Sequence, residues 1–211
     1  MTKVFHNTMA RFRKIIGGVL AAISLSGCSL LTPLPGATTT ERRLDMFPTT
    51  DLPVERPVSI RWDKHQIPFI EAETDGDAAF ALGMVQAHLR LGQITLAKHL
   101  TQGRVSELAG PITIDFDRAI RTISLGRAAP EIYAALPPDT KIWLDQFVAG
   151  LNAYQARMTE LPHEFKVFGI DEPEPFTAAD IITIGRLAGV DINWLGWVGL
   201  MEQRKREDWP Q

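Results

Sequence analysis

The sequence predicts an α+β fold, mainly helical, that opens with a single N-terminal β-hairpin. Two observations carry this. Short apolar segments at 58–62 and 67–72 flank the turn-forming "DKHQ" of 63–66, the pattern of two strands and a tight connection. After them the long apolar patterns recur at three and four residues, the helical period, and no further long strand signal follows. Hydrophobic residues make up 45% of the 211 and charged residues 22%, a composition suited to a packed core rather than a disordered chain. Net charge is −3, with no dense basic block in the body, which argues against nucleic acid as a partner.

Residues 1–27 read as a leader. Lys3, Arg11, Arg13 and Lys14 form a basic region ahead of the apolar run "IIGGVLAAISL" at 15–25. That run is too short to span a bilayer stably. It ends in "LSGC", and Cys28 is the sole cysteine, so an internal disulfide is excluded. Leu25, Ser26 and Gly27 ahead of Cys28 look like a bacterial lipoprotein signal. The expectation is export, with a lipid on Cys28 holding the mature chain to the membrane on the periplasmic side of the envelope. Ser29, by analogy with lipoprotein sorting, favours the outer membrane. Residues 28–53 then comprise the lipidated Cys and a Thr- and Pro-rich stretch without periodicity, read as a flexible linker.

The folded part, 54–211, begins near Val54. "VSIRW" alternates as a strand does, and "IPFIEA" supplies its partner, with Pro68 at a strand start or edge because it lacks a donor. A long helix follows within 74–103, starting near Asp77. It carries Phe80, Met84, Ala87, Leu91, Ile94 and Thr95 on one face and closes at Gly103. "RVSELAGP" is a short helical turn stopped by Gly110 and Pro111, and Arg104 and Glu107 can form an ion pair that locks it. Residues 113–125 and 128–136 read as two more helices, punctuated by "LPPD". The helix of 139–158 is strongly amphipathic, with Trp143, Phe147, Leu151 and Tyr154 expected toward the core. "EPEPF" is an extended linker, and "TAAD" places Thr177 and Asp180 as the capping box of a last helix.

That last helix is unusual. At about 100° per residue, Leu187, Val190, Trp194, Trp197, Val198 and Met201 share one arc. Ile181, Ile184, Ala188, Ile192 and Leu195 share the next. Together they cover more than half the circumference, so the helix is expected between layers. Asp191 projects from the apolar region, where an unpaired carboxylate costs several kcal/mol. Gly185, Gly189, Gly196 and Gly199 each weaken the helix by about 1 kcal/mol. Two arrangements satisfy the pattern. In one, the glycines admit close backbone and Asp191 pairs with an arginine in the core. In the other, the helix breaks near 189–193 and the irregular stretch lines a pocket.

No complete active site is visible in the residue pattern. His88 and His99 share a helix face but lie eleven residues apart, about 16 Å of rise, too far for one metal. His65 and His163 lack ligand spacing. There is no HExxH, GxSxG or phosphate-binding glycine loop. Ser106 and Ser124 read as polar helix positions without a base.

In order and spacing, "WDKHQIPFIEAETDGDAAFALGMVQAHLRLGQITLAKHLTQGRVSELAG" (62–110), "LPPDTKIWLDQFVAGLNAYQ" (136–155), "LPHEFKVFGIDEPEPFTAADIITIGRLAG" (161–189) and Asn193-Trp194 resemble the penicillin acylase (penicillin amidase) family of N-terminal-nucleophile hydrolases. The resemblance implies a four-layer αββα sandwich made by one precursor cut into an α and a β chain. A serine at the β N-terminus is then the nucleophile and its own α-amine the base. The present chain resembles the α-chain portion, so the nucleophile is expected on a β chain absent here, and no residue of this chain is assigned a catalytic role. By the same resemblance Gly189, Ile192 and Asn193 are expected to line the acyl pocket of a small N-acylated substrate, a penicillin-like antibiotic or an N-acyl homoserine lactone.

This chain departs from the family pattern in three places. Leu89 stands where an acidic residue precedes the arginine, and Gly92 where an aromatic follows it. Trp197 falls where many members carry a calcium-ligand Glu, with Glu202 only later, so the resemblance leaves calcium open and assigns no metal ligand. A non-catalytic envelope lipoprotein with an acylase-like binding module is the alternative reading.

Overall fold

A computed structural model describes residues 40–189. The hairpin forms where the alternation placed it. β1 (Ser59–Trp62) and β2 (Pro68–Glu71) pair antiparallel, with Ile60 opposite Ile70 and Trp62 opposite Pro68. Asp63 closes the turn, its Oδ1 accepting from the backbone N–H of His65 at 2.8 Å and of Ile67 at 2.9 Å. Two strands alone are marginal in water, and the helices hold this chain together.

In chain order these are α1 (Thr40–Asp45), α2 (Asp75–Gln102), α3 (Ser106–Ala109), α4 (Ile114–Ile123), α5 (Ala129–Ala135), α6 (Pro138–Arg157), α7 (His163–Phe168) and a last helix, α8, followed from 178 to 189. Short 3-10 turns at Pro111–Thr113 and Leu125–Ala128 join the ends of α4 to its neighbours. Thr74 caps α2, its hydroxyl accepting from Asp77 N, and Gly103 ends it in the left-handed region at φ 62°. Arg90 interrupts α2 at φ −145°, ψ 21°.

The core lies where α2 crosses α6. Phe80, Met84, Ala87 and Leu91 meet Leu144, Val148, Leu151 and Tyr154, with Phe165 and Phe176 closing the ends. Each large side chain fully buried there contributes about 2 kcal/mol of transfer free energy. The crossing is close because two glycines face it. A Cβ on Gly83 would lie 2.9 Å from Leu151 N, and one on Gly150 would lie 2.9 Å from the Phe80 carbonyl carbon.

Two expectations need correction. On α6, Trp143 is 39% exposed and stacks on half-buried Phe147 at 5.6 Å, while Leu144 and Val148 take the core. The apolar side of α6 is wide, and the partner helix took the edge one residue further along the chain. Within the segment read as flexible linker, residues 40–53 carry α1, and Phe47 and Leu52 pack on the core. Phe47 sits edge-on to His88 at 5.3 Å and to Trp62 at 6.3 Å. Sparse apolar residues show no period, yet three well-placed rings suffice to hold them. In addition, α7 arises inside 161–170, a stretch to which the pattern assigned no element, and buries Phe165 completely.

Candidate functional site

The site suggested by sequence lies along α8, so the first question is what holds that helix. Its start is a reciprocal box. Thr177 N donates to Asp180 Oδ2 at 2.9 Å, and Asp180 N donates to Thr177 Oγ1 at 3.2 Å. Just before it, Asn152 of α6 forms a two-way pair with Phe176, Nδ2 to Phe176 O at 2.9 Å and Phe176 N to Oδ1 at 2.8 Å. That amide pair threads the linker onto α6 as a strand partner would.

Asp180 also reaches α2. Gln102 Nε2 donates to its Oδ1 at 2.9 Å, and Lys98 Nζ lies 3.4 Å from its Oδ2. Lys98 is 5% exposed. A buried ammonium is costly unless its donors are matched. Here Lys98 donates to Pro175 O at 2.8 Å, pairs with Glu174 at 3.4 Å and lies 5.4 Å from the centre of the Phe176 ring.

The expected Arg104–Glu107 ion pair is present at 2.7 Å, and the same guanidinium reaches Glu174 at 2.8 Å. Arg104 thereby joins α3 to the linker before α8. Hydrogen bonding to Arg104 holds Glu174 down to about 2, against a smaller upward push from burial, with Lys98 adding to the effect. The same contact lowers Glu107, and the two carboxylates raise Arg104 further above its usual range.

Further along α8, Arg186 donates to the Leu125 carbonyl, and Thr183 lies against Gly126. The helix is thus tied to α2, α6 and the 125–128 turn along one side. Its other side is open among the described residues. Nothing lies within 4 Å of a Cβ built on Gly185 or Gly189, and Gly189 is exposed. Close backbone packing therefore does not explain these two glycines within the described chain. Such packing occurs at Gly83 and Gly150 instead.

Of the sequence-derived site residues, only Gly189 is described. Ile192, Asn193 and Cys28 lie outside the described residues, as do Asp191, Trp197 and Glu202. The clamp of Lys98, Gln102, Asn152 and Glu174 was not foreseen from sequence. Its partners are 24 to 78 residues apart, so no local spacing announces them.

The remaining chemistry is structural. His88 Nδ1 meets Tyr154 Oη at 2.9 Å, and His99 Nδ1 meets Thr95 O at 2.9 Å. Among the described residues no three His, Cys, Asp or Glu side chains gather as a metal site. Gly92 is explained by α7. A Cβ there would meet Glu164 at 3.2 Å, so α7 occupies the space an aromatic would need. An apolar cavity of about 670 Å³ lies between the 44–62 segment and α2, lined by Phe47, Leu52, Ile60, Trp62 and Met84 among others. Thr49 and Asp51 also line it.

Comparison with known proteins follows the same scaffold. The family model described as penicillin amidase matches residues 57–208. The chain is 38% identical over 140 residues to an acyl-homoserine lactone acylase, QuiP, of Pseudomonas syringae pv. tomato, covering 64% of this chain and 16% of that protein. It is 34% identical over 134 residues to a penicillin acylase 2 proenzyme of a Pseudomonas species, covering 64% and 17%. The chain therefore spans about a sixth of the length of these relatives. Among solved structures, a thermostable penicillin G acylase from Alcaligenes faecalis shares the fold at a TM-score of 0.55 and 24% identity, covering 74% of this chain and 76% of that one.

Proposed function

The chain belongs to the penicillin amidase family, and on that premise we propose that it is the N-terminal, α-chain-like part of an acylase that hydrolyses a linear amide. The substrate class is a small N-acylated molecule, an acyl homoserine lactone or a penicillin side chain. The observation that carries this reading is the span of the family match. It runs from the hairpin through α8 and across 189–193. The stretch shared with the curated relatives is about a sixth of their length.

The division of labour follows from chemistry. Acyl transfer needs a nucleophile with a base beside it and donors for the oxyanion. Among the described residues no serine meets a histidine. A β chain of the same precursor would bring the N-terminal serine, its α-amine and the oxyanion donors, and would complete the four-layer sandwich. This chain's role is then to present α8 and its continuation. The clamp fixes the start of α8, and Gly189, Ile192 and Asn193 beyond it face the acyl group. The lipid on Cys28 would hold the assembly at the periplasmic face of the outer membrane.

Mass spectrometry of the native product is the direct test. A second polypeptide beginning with Ser is expected to co-purify, and the preparation should release free amine from an N-acyl homoserine lactone or a penicillin. A lone chain ending at Gln211 without amidase activity would leave the non-catalytic binding lipoprotein instead. In the complete enzyme, Asn193→Ala should change kcat/KM unequally across acyl-chain lengths. A uniform profile would remove Asn193 from the pocket.

A further inference from the structure

Among the described residues, Lys98 is the one lysine or arginine that is buried. Taking an ammonium out of water is costly, and an apolar side chain of similar volume is often as stable in its place. Stability alone therefore does not account for a lysine here. Its contacts supply something apolar packing does not. Nζ donates to Pro175 O at 2.8 Å, lies 3.4 Å from both Glu174 Oε2 and Asp180 Oδ2, and sits 5.4 Å from the centre of the Phe176 ring. One atom on α2 thus holds four residues that bracket the start of α8.

Much of the remaining attachment of α8 is apolar. Ala178, Ile181 and Ile182 pack on the core. Hydrophobic contact is non-directional, so such a face tolerates a small slide along the helix axis. Hydrogen bonds and ion contacts of fixed reach do not. Along its axis a helix is stiff, because each residue is tied to the fourth before it. A displacement at Asp180 therefore arrives undiminished at Gly189, about 14 Å further on at 1.5 Å per residue.

We propose that Lys98 is a positioning residue for acyl-chain selection. By fixing where α8 starts, it sets how deep a pocket Gly189, Ile192 and Asn193 leave for the acyl group, and so which chain length fits. The inference rests on the reading that this chain is the α-chain-like part of an amide-hydrolysing acylase. Two considerations separate position from charge balance. Without the ammonium no carboxylate of the clamp is stranded. Asp180 keeps Gln102 Nε2 and both donors of Thr177, and Glu174 keeps Arg104. What Lys98 alone supplies is the fixed reach from α2 to this turn. The required movement is also small, since one methylene in an apolar pocket changes kcat/KM by about 10–200-fold.

The test uses the complete native enzyme and a series of N-acyl homoserine lactones or penicillins of graded acyl length, whichever it cleaves. Lys98→Met keeps nearly the same side-chain length without the charge. It should move the acyl length of highest kcat/KM, changing the ratio between neighbouring lengths about tenfold. An unmoved profile overturns the proposal, and so does a uniform drop at every length, which is what a merely structural role would give. Phe47→Ala is the control, because it weakens the rings at Trp62 and His88 and should leave the profile in place. A shift there equal to that of Lys98→Met also overturns the proposal. Should Lys98→Met not be recovered folded, Gln102→Met removes the other α2 donor to Asp180 and is read by the same outcomes. If the native product cleaves neither substrate series, the acylase reading falls and the positioning role with it. If it cleaves one and the profile stays, only the positioning role falls.

Discussion

Two aspartates do the same job at opposite ends of α2. Asp77 accepts from Glu55 N at 2.8 Å, Arg56 N at 3.1 Å and the Thr74 hydroxyl at 2.8 Å. Asp117 accepts from Val105 N and Ser106 N. Each is a buried carboxylate satisfied by two consecutive amides, and each pins a segment that has no regular partner. Burial pushes both carboxyls up. Donors at Glu55, Thr74 and Arg56 outweigh it for Asp77, and donors at Ser106 and Val105, helped by Arg121, outweigh it for Asp117, so both end below the usual value. A carboxylate depressed in the folded state stabilises above its unfolded pKa of about 4 and loses that contribution as pH falls through the folded value. The urea midpoint of the native product should therefore fall from pH 5 toward pH 2. Asp77→Asn should start lower at pH 7 and decline less steeply, and a slope equal to that of the wild type would refute the assignment. The Thr74 and Asp77 pair, missed when the helix start was placed near Asp77, was legible in principle, because "TDGD" has the same T-x-x-D spacing as "TAAD". The role of Asp117 was not, since its partners belong to the preceding turn rather than to its own helix.

Among the elements, the crossing of α2 and α6 decides the architecture. Sequence periodicity gave both helices nearly to the residue, Asp75–Gln102 and Pro138–Arg157. On α2 it also gave the buried face: Phe80, Met84, Ala87, Leu91 and Thr95 are buried, and Ile94 is half-buried against the core. On α6 Leu151 and Tyr154 are buried as expected and Phe147 packs against the core, but Trp143 lies outside while Leu144 and Val148 are inside. Periodicity fixes a helix and roughly its phase, but a wide apolar side leaves the partner free to select an edge. Gly83 and Gly150 are what that selection uses. Gly83→Ala or Gly150→Ala should force the helices apart and cost about 3 kcal/mol, read from thermal or urea unfolding. Gly126→Ala is the control, because its Cβ would meet Thr183 at an ordinary 3.6 Å and should change stability little. Equal effects at all three positions would mean the crossing tolerates separation.

For the molecule as a whole, the segment before the hairpin belongs to the fold. Phe47 closes a ring cluster with Trp62, His88 and Tyr154, the last at 6.0 Å. Phe47→Ala should lower stability by about 3 kcal/mol, and a loss below about 0.5 kcal/mol would return the segment to the status of a tether. The polar network has the same long reach, since Arg104 binds Glu107 three residues away and Glu174 seventy residues away. The first partner could be read from the chain and the second could not. By itself the sequence determined the class of fold, the order and approximate ends of the hairpin and long helices, the capping box of α8, the local ion pair of α3 and the family. All of these depend on residues within a turn or two of one another, or on motifs kept in order along the chain. Only the tertiary structure decided which edge of α6 is buried and how Lys98 and Asn152 hold α8. Those outcomes depend on residues tens of positions apart meeting in space, and neither spacing nor composition encodes such a meeting.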